Sequence, residues 1–186
     1  MIPTMSQAME LLCKYNKSEA LVKHGIAVSG VMEHFALKHG EDPEYWAAVG
    51  LLHDLDYEMY PEEHCVKTEE LMKAEGIDGA FIRACISHGF GICVDVEPLI
   101  LMEKVLYATD ELTGLINATA LMRPSKSVMD LEYSSVWKKF KDARFAAGVD
   151  REVVKKGAEL LGLEMKELID ETILGMRRVA PELGLA

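Results

Sequence analysis

At 186 residues, 49% apolar and 27% charged, the chain has the composition of a folded globular protein and not of a disordered or fibrous one. Its 20 Lys and Arg against 31 Asp and Glu give a formal charge of −11, a field that disfavours nonspecific binding to nucleic acid. The longest runs free of Asp, Glu, Lys and Arg, such as Leu112 to Met122, have 11 residues, short of the roughly 18 a membrane span needs.

Apolar residues recur at spacings of three and four almost throughout, and β-branched alternation of strand length is scarce, which predicts an all-α chain. Asn16-Lys17-Ser18-Glu19 has the form of a capping box opening a helix toward His39, with Gly40 as its stop. Asp42-Pro43 supplies a cap and a first-turn proline for a helix through Trp46 and Val49 that ends near Leu55. A helix is expected from Pro61 to Glu75, with Gly76 beyond it, and a short one from about Asp78 to His88. Gly89-Phe90-Gly91 then interrupts the pattern before a long segment from Pro98 to Met122. After a turn at Arg123 to Ser127, helices near Ser135 to Ala147, Asp150 to Leu161 and Glu164 to Leu183 complete the chain. The expected organisation is one domain over residues 1–186, with a motif-bearing core at about 20–120 and a C-terminal helical extension at about 128–186.

The residues that carry chemistry interrupt apolar runs, where an unpaired polar group is expensive. His53-Asp54 ends the run Ala47 to Leu52, so an imidazole and a carboxylate leave a buried helix terminus together. Asp110 lies within Val105 to Leu112, and His24 sits among Leu21, Val22, Ile26 and Val28. Such a set on separate helices is what a bundle uses to build a metal site from facing side chains. Imidazole and carboxylate without thiolate suit one or two divalent ions of Mn, Fe, Co, Ni or Zn, and argue against Ca or a purely structural zinc. His34 and His39 belong to no such motif and are expected as satisfied core histidines. Cys13, Cys65, Cys85 and Cys93 form no C-x-x-C pair and are expected as reduced, mostly buried thiols. The N-terminus carries no basic leader followed by an apolar stretch, so the expected compartment is the cytoplasm.

The order H, HD, D resembles the HD-domain superfamily of metal-dependent phosphohydrolases, over roughly residues 20 to 120. Tyr60 to His64 and Ile82 to Gly89 are similar to the segments that carry two extra histidines in the two-metal subgroup. Glu103 to Asp110 resembles the segment of the final aspartate in bacterial HD hydrolases, including those that split dinucleoside tetraphosphates symmetrically. The resemblance implies an HD-type helical bundle in which His24, His53, Asp54 and Asp110 hold one ion, and Asp54 bridges to a second held by His64 and His88. It implies hydrolysis of a phosphate ester or anhydride of a small phosphorylated compound, a nucleotide, with no membrane or nucleic-acid partner. A noncatalytic metal-binding or ligand-sensing domain and a di-iron oxygenase are the alternatives on the same scaffold. Gly89 stands where the two-metal pattern has a further histidine, and Leu55-Asp56 where many relatives have Ile-Gly. Asp56, Glu58, Glu62 and Glu63 are expected as a solvated acidic face, of which Asp56 or Glu63, beside the catalytic Asp54, is the acid expected to assist proton transfer to the leaving group.

Charge is unevenly spread: Arg123 to Arg144 carries +3 and the remainder −14. Arg123 and Lys126, with Lys138 and Lys139, are expected to receive phosphate groups of the ligand. This requires the chain to fold back, since Arg123 lies about 20 Å of helix beyond Asp110.

Overall fold

A computed structural model describes residues 1–186. Ten helices and no strands make an all-α fold: α1 (Met5–Tyr15), α2 (Glu19–His39), α3 (Pro43–Leu52), α4 (Val66–Ala74), α5 (Gly79–Ile86), α6 (Leu101–Leu121), α7 (Tyr133–Phe140), α8 (Arg151–Leu161), α9 (Met165–Arg178) and α10 (Ala180–Leu183). The two longest, α2 and α6, pack together; α3 and α9 also lie on α2, and α8 runs along α6. A cluster of 44 buried apolar residues extends from Ala8 to Leu185, so the C-terminal helices share the core of the motif-bearing segment. Each fully buried leucine in it, such as Leu52, Leu106 or Leu115, contributes about 1.5–3 kcal/mol. No helix is long and apolar enough to cross a membrane.

The contact between α2 and α3 is made close by glycine. A Cβ on Gly25 would lie 2.9 Å from Leu51 O, and one on Gly50 would lie 2.8 Å from Met32 Cγ and 3.0 Å from Val28 O. That approach brings the ring centroids of His24 on α2 and His53 just after α3 to 5.2 Å.

Several helix ends follow the local signals and several do not. Asp42 accepts from Glu44 N and Tyr45 N at 3.0 and 3.1 Å, so α3 begins on Pro43 as expected, and Gly40 at φ 73° ends α2. The expected capping box at Asn16 is absent. Ser18 makes no side-chain cap; instead Glu58 Oε2 accepts from Lys17 N and Ser18 N at 2.7 and 2.8 Å, while buried Asn16 donates to Leu55 O at 3.0 Å. The turn that follows α3 is thereby tied to the start of α2. The segment from Pro61 is a 3₁₀ turn, and α4 begins only at Val66 because Cys65 stands at φ 65°, ψ −41°. A non-glycine residue enters that region at a cost on the order of 1–3 kcal/mol.

α7 ends at Phe140 rather than near Ala147. The loop 141–149 is gathered by Arg151, whose guanidinium donates to the carbonyls of Phe140, Asp142, Phe145, Ala146 and Val149 at 2.5–3.3 Å. The final helix is divided at Val179, ahead of Pro181.

Candidate metal centre

The six expected donors reach one place from separate elements. His24 comes from α2, His53 and Asp54 from the turn after α3, His64 from the segment before α4, His88 from the 3₁₀ turn after α5, and Asp110 from mid-α6. Asp54 is central. Its Oδ1 lies 3.3 Å from the Nε2 atoms of His53, His64 and His88 alike, and its Oδ2 lies 3.6 Å from His24 Nε2. Asp110 Oδ1 faces His24 Nε2 at 2.9 Å and His53 Nε2 at 3.2 Å.

The protonation pattern of the imidazoles is set from behind. His53 Nδ1 donates to Gly50 O at 2.8 Å, His88 Nδ1 to Cys85 O at 2.6 Å, and His64 Nδ1 to Asp56 Oδ1 at 2.7 Å. These acceptors have no proton to give, so each Nδ1 carries one, and in the neutral ring each Nε2 presents a lone pair to the cluster. His64 Nε2 and His88 Nε2 are 3.0 Å apart, so when both rings are neutral two lone pairs face each other. A cation between them resolves that opposition. Ligands at about 2.0–2.1 Å around a tetrahedral ion are separated by about 3.3 Å, which matches the spacing of these nitrogens and oxygens. The donor set therefore fits divalent transition metal, and the groups His24, His53, Asp110 and His53, Asp54, His88 each have their ligand atoms within 4.8 Å of one another.

Without a cation the charges compensate one another. Burial alone would depress His53, but Asp54 and Asp110 outweigh it and raise its pKa well above the usual imidazole value. Burial would raise Asp110, and it is overcome by the charge on His53 and the hydrogen bond from His24, which hold the carboxyl below its usual range. Desolvation and the adjacent Asp110 push Glu111 up to about 7, although Asp150 N donates to it at 3.2 Å.

Asp54 and Asp110 open onto a cavity of about 340 Å³, shared with Tyr57, Tyr107 and Glu111. A second cavity of about 520 Å³, with Lys23 and Asn117 in its wall, meets the first at His24. Glu111 was absent from the expected site, although the Asp110-Glu111 doublet within an apolar helix was its signal. Cys93 also lines the first cavity, with its Sγ 3.3 Å from Cys65 Sγ. The hydrogen bond the two thiols share lowers Cys93 to about 6 against burial, and the same bond with burial raises Cys65. Cys13 is exposed, unlike the other three.

Other expected residues lie elsewhere or act differently. Asp56 is fully buried, accepting from His64 Nδ1 and, at 2.8 Å, from Thr68 N, so it positions His64 and does not face the cavity. Glu63 is exposed and pairs with Lys67 at 3.7 Å. Arg123 pairs with Asp130 at 2.9 Å and donates to Ser135 Oγ; Lys126 and Lys138 are exposed, and Lys139 stands 4.4 Å from the Phe145 ring centroid. None of these four cations lines the cavity, because α6 runs unbroken from Asp110 to Leu121 and carries the basic turn away. His34 pairs with Glu171 at 2.6 Å, and His39 is exposed.

Since Asp56 fixes the ring of His64, Asp56→Ala is expected to weaken metal binding on the His64 side by about 10–100-fold while sparing the His24 side. Titration of the metal-free protein, resolved into two binding steps, measures it; unchanged affinities would remove Asp56 from the centre.

No family model matches the chain, and no solved structure matches it. Fold and cluster together define an all-α protein with histidine and aspartate groups able to hold metal.

Proposed function

We propose that the chain is a metal-dependent phosphohydrolase of the HD type, cleaving a phosphate ester or anhydride of a small phosphorylated compound, a nucleotide. One observation carries the reading: Asp54 meets three histidine Nε2 atoms through one oxygen and a fourth histidine through the other, at the edge of an open cavity. The H, HD, D order of the sequence supports it. Divalent transition metal held there supplies Lewis-acid charge and acidifies water near neutral pH.

The chain's own residues supply the rest. Asp54 joins the two halves, Asp110 anchors His24 and His53, and Asp56 holds His64 in register. Glu111, the third carboxylate of the cavity wall, is the side chain placed to hand a proton to a leaving oxygen, in place of Asp56 or Glu63. No Lys or Arg lines this cavity. Lys23, in the adjoining one, and Lys156, 4.5 Å from the Phe90 ring centroid and 5.9 Å from that of Tyr107, replace Arg123, Lys126, Lys138 and Lys139 as the cations near a phosphate tail.

Chromatographic analysis of the products from a panel of nucleoside mono-, di- and triphosphates and dinucleoside polyphosphates, with Mn(II) or Fe(II), tests the proposal. Turnover that chelation abolishes and metal restores is expected. Tight nucleotide binding with no turnover on any of the panel would establish the sensing alternative instead.

A further inference from the structure

Cys65 follows His64 in the chain and is fully buried, and its Sγ lies 3.8 Å from His88 Nε2. His64, Cys65 and His88 have their ligand atoms within 4.8 Å of one another. Around a tetrahedral ion with nitrogen at about 2.0–2.1 Å and sulfur at about 2.3 Å, a nitrogen and a sulfur stand about 3.6 Å apart. The His88 separation of 3.8 Å is close to that value, and both histidines also stand 3.3 Å from Asp54 Oδ1, close to the spacing of nitrogen and oxygen ligands on one ion.

Two further features single out this sulfur. Of the non-glycine residues at positive φ, Cys65, Lys126 and Ala146, only Cys65 is buried, so an unfavourable backbone conformation is maintained where the thiol meets the histidines. The sulfurs of Cys65 and Cys93 also fill the space beside Gly89, where a Cβ would lie 2.6 Å from Cys65 Sγ and overlap Cys93 Sγ. The group formed by His24, His53 and Asp110 contains no sulfur.

We infer that the His64 half of the centre is a mixed nitrogen, oxygen and sulfur site, with Cys65 as a thiolate ligand beside His64, His88 and Asp54, selective for a thiophilic divalent ion such as Zn(II) or Co(II) over Mn(II). The inference rests on the metal-centre reading and adds to it a ligand and a preference. On loading, the Cys65 S–H bond breaks and its electron pair forms the bond to the ion. The proton is released to solvent, with no change of oxidation state, and Cys93 Sγ donates to the thiolate left behind. Cys93, hydrogen-bonded to the ligand sulfur, then supports it without binding the ion.

Titration of the full chain with Co(II), in the presence of a non-thiol reductant, separates the possibilities by absorption. A near-ultraviolet sulfur-to-cobalt charge-transfer band is expected in the parent, lost in Cys65→Ser and retained in Cys93→Ser and in His24→Ala. Independently of any variant, Cd(II) bound to the parent should give the corresponding sulfur-to-cadmium band. Cobalt bound with ligand-field bands but no charge-transfer band, or a band that survives Cys65→Ser, overturns the sulfur assignment and leaves the metal centre in place. A band lost in Cys93→Ser instead overturns the choice of Cys65. Equilibrium dialysis showing no bound cobalt overturns the metal-centre reading itself.

Discussion

Asp54→Ala is expected to strip the protein of bound transition metal and of any hydrolytic activity while leaving its far-ultraviolet circular dichroism that of the parent. The reason is geometric: a single carboxylate faces all four histidine donors, three through Oδ1 and His24 through Oδ2. Burial would raise this carboxyl, yet the charges and hydrogen bonds of His53 and His88 hold it well below the usual range, so it stays an anion. Loss of a ligand shared by both halves should cost more than the roughly 100-fold typical of an outer partner. Elemental analysis of protein purified without chelators gives the answer. Full metal content in the variant would sink the assignment of Asp54 as the joint of the centre.

Gly157→Val is expected to be the most destabilising single change outside the centre. Gly157 of α8 rests on α6 so closely that a Cβ would overlap the Ala108 backbone and lie 2.6 Å from its Cβ. The helices must part, and overpacking of this kind costs about 1–3 kcal/mol, lowering Tm by roughly 2–12 °C in a chain of this size. Gly114→Ala, within α6 at a place where a Cβ meets nothing within 4 Å, should instead gain about 0.5–1 kcal/mol. Thermal unfolding of the two variants tests the contrast, and a fall in both would show that the overlap at Ala108 is not what decides. Because Ala108 lies two residues before Asp110, Gly157→Val should weaken metal binding as well.

The all-α class and the positions of the candidate donors were legible because both are local patterns. His53-Asp54 closes an apolar run, Asp110-Glu111 breaks another, and His24 sits among aliphatic neighbours, so each declared a polar group that had to be satisfied. What escaped the sequence depends on chain closure over long separations. Glu58 looked like one of several solvated acids until the turn after α3 placed it on the backbone of Lys17 and Ser18. Asp56 has the same composition of neighbours whether it faces solvent or His64, and only the fold distinguishes them. Cys65 and Cys93 are separated by 28 residues with no motif between them, and they meet through the packing of the segments before α4 and after α5. The role expected of the basic turn required the chain to fold back beyond Asp110, and with α6 unbroken to Leu121 its cations do not line the cavity.

The hold of Arg151 on the loop 141–149 divides the work of the molecule between two stretches of chain. Every candidate donor lies between His24 and Asp110, whereas Gly148, in that loop, and Val153, just past Arg151, also line the cavity. On the proposed reading, a larger residue at Gly148 or a different apolar one at Val153 would reshape the cavity without replacing a candidate donor. On that reading, the shape of the cavity and the candidate metal centre can vary independently.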